Sequence, residues 1–362
     1  MTTTERIPAP GRDAGPPVMP PTDLSWMTRT LEWGVRARVH PEGGLTLGAL
    51  NVGIYADIPD IWEERSRMPR GAYPIAGVPP IGGYYLVHKS EQWADNAADL
   101  YEEAISRRWS TATDIPWEAS RGLPEDVELA MCQVATELSQ HGSVEAEVVS
   151  SWLQQLNYGY HEVKLFLATA VWDAGRQFEG WRKRALANGG GLGLEAPGWG
   201  DRVLLESGAG WTETAMVLQL LRGSFDATVF RYLAAYGPTA CERELAARML
   251  ADKGRHAAYA MQHVKYALGR HPEARMPYSK SLTGAEAQFG RDHADHVFWE
   301  ALAIVFGGGV HGMDEGMRIV ERLQRDWLKL YIRRTDFVGM DRGRWLFRGL
   351  RQLLAEPAST GA

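Results

Sequence analysis

Two pentapeptides of one form, Asp173-Ala174-Gly175-Arg176-Gln177 and Asp252-Lys253-Gly254-Arg255-His256, stand at equivalent places in two halves of the sequence. Each half, 125–186 and 211–269, carries apolar residues at helical spacing, interrupted once by a short break. Each half therefore predicts a long helix, a turn and a second long helix that contains the pentapeptide. The four predicted helices span 125–155, 161–186, 211–236 and 240–269.

Further helical patterns cover 94–109, 284–306 and 314–334, whereas strand patterns and hairpin dipeptides are scarce. The glycine-rich run 187–210 predicts a long connection with room for one short helix. Helices of about 25 residues are longer than those of a typical globular mixture and are natural in a bundle. The sequence therefore predicts an all-α protein with one helical bundle domain over 90–355.

The first 89 residues have a different composition. Residues 1–22 contain six prolines and few large apolar side chains, which predicts a flexible arm. Residues 23–89 mix aromatic side chains with glycine and proline, which predicts an irregular segment that wraps the bundle.

Composition narrows the class of protein. The 362 residues carry 39 basic and 45 acidic side chains, a net charge of −6, and no basic tract, so neither nucleic acid nor an anionic membrane is an expected partner. No apolar run is long enough to cross a bilayer and no signal peptide is visible, so we expect a cytoplasmic protein. Cys132 and Cys241 lack partners at metal-ligand spacing and are expected to be ordinary buried thiols. The 14 tryptophans suit a large core and an interface equally.

The paired pentapeptides resemble the D-E-x-R-H segment of the ferritin-like di-iron carboxylate superfamily, which includes ribonucleotide reductase small subunits and bacterial di-iron monooxygenase hydroxylases. The resemblance covers about 90–335 and implies a ferritin-like helical bundle. In that family, the Glu and His of each segment bind one pair of irons, and each preceding helix adds a carboxylate. His141-Gly142-Ser143 resembles the segment that supplies the first of these carboxylates.

The resemblance places six metal-ligand positions in this chain, of which the one near Gly223 is uncertain by about one helical turn. Among these residues only His256 is of a ligand type, since serine, alanine and glycine offer no anion and a lysine ammonium repels a divalent cation. We therefore expect no metal and no other cofactor. The flanking Asp173, Arg176, Asp252 and Arg255 are intact and are expected to brace the helices. The six positions are Ser143, Ala174, Gln177, Gly223, Lys253 and His256.

Lys253 lies in an apolar stripe, where an unpaired ammonium is costly. We expect an internal ion pair, with Asp226, Glu145 or Asp252 as candidate partners; a catalytic lysine of lowered pKa and a solvent-directed head group are the alternatives. Lys253→Met is expected to be tolerated. His256 is expected to be a hydrogen-bonded core histidine rather than a ligand.

A weaker candidate metal site is a group of acidic and imidazole side chains within nine residues of one predicted helix. A metal could use a shared helix face, but a polar or interface face is favoured, because one helix seldom supplies a full coordination shell. The residues are Asp292, His293, Asp295, His296 and Glu300.

By analogy with the metal-free β subunits of bacterial monooxygenases, the resemblance implies a non-catalytic subunit or pseudoenzyme of a di-iron oxygenase-type system. Its expected partner is a second copy or a paralogue with intact ligands. One alternative is an active oxygenase that uses a rebuilt site, with His256 and Glu145 or the 292–300 group, or no metal at all. The other alternative is a small-molecule-binding bundle.

Overall fold

A computed structural model describes residues 21–28, 32–63, 70–73, 77 and 83–354. Within these ranges the regular structure is helical and no strand longer than an isolated bridge forms, which confirms the all-α class. The helices are α1 (Ala97–Ser106), α2 (Glu125–Leu153), α3 (His161–Leu186), α4 (Trp199–Glu206), α5 (Trp211–Ala215), α6 (Gly223–Tyr236), α7 (Ala240–Arg270), α8 (Arg275–His293), α9 (His296–Gly307), α10 (Met313–Phe337), α11 (Arg342–Trp345) and α12 (Arg348–Arg351).

The four long helices predicted from periodicity form close to their predicted bounds. The third is continuous from α5 to α6, because a π-helical segment, Met216–Arg222, joins them. Helix α7 begins with a capping box, in which the Thr239 side chain accepts from the Cys241 backbone N–H and the Glu242 carboxylate accepts from the Thr239 backbone N–H. The glycine-rich connection contains the short helix α4.

The prediction of a single helix over 284–306 is wrong. Helix α8 ends at His293, and α9 begins at His296. The Asp295 carboxylate accepts a hydrogen bond from the Val297 backbone at 3.3 Å, so this side chain caps a new helix. The apolar periodicity on either side of the break concealed this start signal.

The helices pack in pairs, α2 along α3 and α6 along α7, and α3 also contacts α7. Helices α2 and α3 come close together at Gly142, where an added Cβ would lie 2.5 Å from the Phe178 backbone nitrogen. Large rings fill the centre, and the Trp181 ring stacks on Phe230 with centroids 5.9 Å apart. Helices α9 and α10 pack together beside α2 and α6.

The described parts of 23–89 contact the bundle and contain only short 3₁₀ turns. The Tyr160 hydroxyl donates to the Val87 carbonyl at 3.1 Å, and Arg70 forms a buried ion pair with Glu162 at 2.7 Å. The predicted arm at 1–22 lies almost wholly outside the described residues. No helix in the described ranges has both the length and the apolar character that crossing a membrane requires.

Candidate functional site

Eight charged side chains form a buried network between α2, α3, α6 and α7, at the level of the two pentapeptides. None of the eight side chains is more than 7% exposed. Four are carboxylates, and the other four are two guanidinium groups, one ammonium and one imidazole. When the imidazole is protonated, the formal charges cancel. The residues are Glu145, Asp173, Asp226, Asp252, Arg176, Arg255, Lys253 and His256.

Lys253 lies between carboxylates from the two preceding helices. Its ammonium pairs with Glu145 on α2 and with Asp226 on α6, 3.0 Å from Asp226 Oδ2. Burial alone would lower the pKa of Lys253, but the two carboxylates raise it above its usual value. The same contacts hold the pKa values of Glu145 and Asp226 below their usual range despite burial. These contacts therefore favour the charged form of all three groups.

His256 bridges two carboxylates. Its Nδ1 lies 2.9 Å from Glu145 Oε1, and its Nε2 lies 3.3 Å from Asp173 Oδ2. Burial alone would lower the pKa of His256, but hydrogen bonds to Asp173 and Glu145 raise it to about 9. Since both ring nitrogens face ionised acceptors, both donate, and His256 is an imidazolium at neutral pH.

This geometry predicts a pH-dependent stability. The pKa of His256 is about 9 in the folded chain and about 6.5 when unfolded, so protonation stabilises the fold fully below pH 6.5 and its contribution disappears as the pH approaches 9. The free energy of unfolding should fall by about 3 kcal/mol over this range. Urea titrations at several pH values measure the slope. His256→Gln should abolish the fall in unfolding free energy that His256 causes between pH 6.5 and 9. The substitution His296→Gln, at an exposed position, should leave that fall unchanged. An unchanged slope in His256→Gln would show that His256 is neutral.

The two pentapeptides brace each other across α3 and α7. Arg176 Nη2 contacts Asp173 at 2.5 Å and Asp252 at 2.6 Å, and Arg255 Nη2 contacts the same two carboxylates. Each guanidinium therefore joins both halves of the sequence. Trp109 closes one side, where its Nε1 donates to Asp252 Oδ2 at 3.1 Å.

The structure corrects the position predicted on α2. Ser143 is exposed, and its hydroxyl donates to the Gln140 carbonyl at 2.9 Å. Glu145, two residues later, faces the network instead, because two residues turn a helix by roughly 200°. Ala174 is buried, and Gln177 donates to the Leu138 carbonyl of α2 at 3.1 Å.

On α6, Gly223 is buried, but Asp226, about one turn later, carries the side chain that reaches Lys253. Two further members of the site were not predicted. Gln219, on the π-helical segment, donates to Glu145 Oε1 at 2.7 Å, and His141 Nδ1 lies 2.8 Å from Asp226 Oδ1. The sequence gives no signal for Gln219, because its direction depends on the π-helical geometry.

The group at 292–300 does not share one helix face. Asp292 accepts from the backbone nitrogens of Trp199 and Gly200 at 2.8 and 2.7 Å, so it caps α4. The side chain of His296 is 74% exposed, and Glu300 lies on α9. Helix α8 ends at His293 and α9 begins at His296, so these residues lie on two helices. They do not form a metal site on one helix.

Cys132 and Cys241 are buried free thiols. Burial raises the pKa of Cys132 to about 11 and that of Cys241 to about 12. Neither is a nucleophile at neutral pH.

The residues at the centre of the bundle do not fit a di-iron site. Lys253 pairs with both carboxylates of α2 and α6, and arginines engage the carboxylates of the pentapeptides. Within the described ranges, no three His, Cys, Asp or Glu side chains are arranged to hold a metal ion. No family model, characterised protein or solved structure matches this chain. The functional argument therefore depends on the geometry of the network.

Proposed function

We propose that the protein is a ferritin-like bundle without a metal centre, and that it serves as a non-catalytic structural or regulatory subunit of a di-iron oxygenase-type system. The observation that carries this proposal is the Lys253 ammonium, which pairs with carboxylates from α2 and α6. In the ferritin-like arrangement, carboxylates from these two helices would bind the metals. The Lys253 ammonium at that point takes the place of a metal cation and pairs with the two buried carboxylates.

The placement of the pentapeptides supports the ferritin-like assignment. They lie on the second helix of each pair and face each other, and Glu145 and Asp226 come from the first helix of each pair. Ferritin-like sites draw one carboxylate from each of two helices and a carboxylate and histidine from each of the others. Here the positive and negative charges of the buried network are equal in number, and Ala174 and Gln177 supply no ligand anion.

A subunit role needs an interface, and exposed aromatic side chains support one. The Trp172 side chain on α3 is 66% exposed, with Leu165 nearby on the same helix at 38%. Trp33 is almost wholly exposed. Tryptophan anchors many protein interfaces, so we propose that the partner, a ligand-intact paralogue or a second copy, covers α3.

Affinity purification from the native host, followed by metal analysis and size-exclusion chromatography, tests the proposal. We expect well under one iron per chain and co-elution with a paralogue that has intact D-E-x-R-H segments. Trp172→Glu should weaken that complex, whereas Trp345→Glu, also exposed but near the chain end, serves as the matched control. Two irons per isolated chain, or a monomer with no paralogue bound, would contradict the subunit role.

A further inference from the structure

A small cavity lies beside the charged network, and His141 separates the two. The His141 ring contacts Asp226 on one side and lines the cavity on the other. The cavity offers about 40 Å³ to the centre of a water molecule, so it has room for a few non-hydrogen atoms. The exposed Pro197 contributes to its wall, so the cavity lies close to solvent. The aromatic lining consists of Phe225, Phe289, Phe298, Trp299 and Trp327.

Four carboxylates line the cavity, and three of them are engaged in the fold. Asp201 pairs with Arg222, Asp292 caps α4, and Asp295 caps α9. The fourth, Glu137, makes no hydrogen bond within the described ranges, and His141 Nε2 lies 3.9 Å from its Oε1, beyond hydrogen-bond distance. The Glu137 side chain is only 14% exposed. This acid therefore lies at the cavity without a direct hydrogen bond or a close ion pair.

Two further polar groups of the lining lack a partner within the described structure. They are Nη1 of Arg222, whose side chain is 5% exposed, and Nδ1 of His293. A bound molecule that donates a hydrogen bond to Glu137 and accepts one from Arg222 would give each of these two side chains a partner. The carboxylates outnumber the single guanidinium, so the field in the cavity favours a cation. Aromatic faces around the space add to that preference.

We propose that this cavity binds a small primary amine, with its ammonium on Glu137, among the rings of Trp299, Trp327 and Phe225, and with a polar atom near Arg222. A short amino alcohol has this pattern, since its ammonium donates and its hydroxyl accepts. The proposal does not depend on the ferritin-like assignment, because none of the pentapeptide residues lines the cavity.

Isothermal titration of the full chain with ethanolammonium chloride at pH 7.5 tests the proposal, with tryptophan fluorescence as a second readout. We expect saturable binding with a dissociation constant on the order of millimolar, since so small a ligand buries little surface. Glu137→Gln should weaken binding at least tenfold. Glu147→Gln, an exposed acid on the same helix, should leave it unchanged.

Proton linkage gives a test that does not require a variant. Burial and the carboxylates of Asp295, Asp292 and Asp201 raise the pKa of Glu137 to about 8 against the opposing effect of Arg222. An ammonium binds the ionised acid, so binding at pH 7 should release close to one proton, seen as different heats in phosphate and Tris. Affinity should rise by up to about tenfold per pH unit from pH 6 to 8 and then level. The charged and titratable groups facing Glu137 are His141, Asp201, Arg222, Asp292, His293 and Asp295.

Uncharged and anionic probes supply the opposing outcomes. Ethylene glycol has the same size as ethanolammonium and no charge, and equal affinity for it would overturn the proposal. Stronger binding of acetate would make Arg222 an anion site instead. A lack of any saturable response to the amine would show that the cavity holds water only.

Discussion

Lys253→Met will lower the free energy of unfolding by about 3–5 kcal/mol, because it leaves two buried carboxylates without their cation. Glu145 and Asp226 are at most 2% exposed, and both depend on the same ammonium. The structure thereby reverses the expectation from the sequence that this substitution is tolerated. That expectation assumed one partner, whereas the structure shows two. Urea denaturation at pH 7 measures the loss.

Two comparisons make this prediction specific. Adding Glu145→Gln and Asp226→Asn to Lys253→Met should recover part of the stability, because the two carboxylates that lost the Lys253 ammonium are then neutral. Lys265→Met, at an exposed position on the same helix, should change stability by less than about 1 kcal/mol. The Lys253→Met variant should also lose less stability near pH 4, where its freed carboxylates take up protons. A loss under about 1 kcal/mol at pH 7 would mean that Lys253 is not desolvated.

The second large effect is a gain of metal. The variant Ala174→Glu, Gln177→His and Lys253→Glu should bind about two iron or manganese ions per chain, the number that a ferritin-like ligand set holds. Glu145, Asp226 and His256 are already in place on the facing helices. Removal of the ammonium also frees both carboxylates to act as ligands. Metal analysis after reconstitution, with circular dichroism to confirm folding, measures the gain.

A five-site variant, built from the positions expected from the sequence, is the matched comparison. It adds Ser143→Glu and Gly223→Glu to the three substitutions. Ser143→Glu should add no metal because that position faces solvent. Gly223→Glu should add none either, because Asp226, about one turn later, is the α6 residue whose side chain reaches Lys253. A folded three-site variant that takes up no metal would contradict the proposed ferritin-like register of the helices.

Periodicity predicted the helices well because each helix buries one continuous apolar stripe. It failed at 284–306, where apolar residues lie on both sides of a break and Asp295 caps α9. The same break separates the residues of the weaker alternative, a metal site on one helix at 292–300, for which the sequence favoured a polar or interface face. The cap that Asp295 forms at the start of α9 therefore decides where the helix ends and begins, although the apolar periodicity over 284–306 suggests one helix.

The candidate site was predictable in part. The pentapeptides marked Asp173, Arg176, Asp252 and Arg255, because the resemblance implies that these side chains brace the helices. The candidate partners for Lys253 included the correct two, Glu145 and Asp226. Gln219 could not be foreseen, because it reaches Glu145 from a π-helical segment.

The sequence alone determined an all-α chain with two matching helix pairs and a set of charges that must be buried. Only the tertiary structure decided which charges meet. Glu145 and Lys253 lie 108 residues apart, and an error of two residues in the rotation of α2 exchanges Glu145 for Ser143. Helix spacing and rotation, which arise from packing between distant segments, set these contacts, and local periodicity contains no information about either.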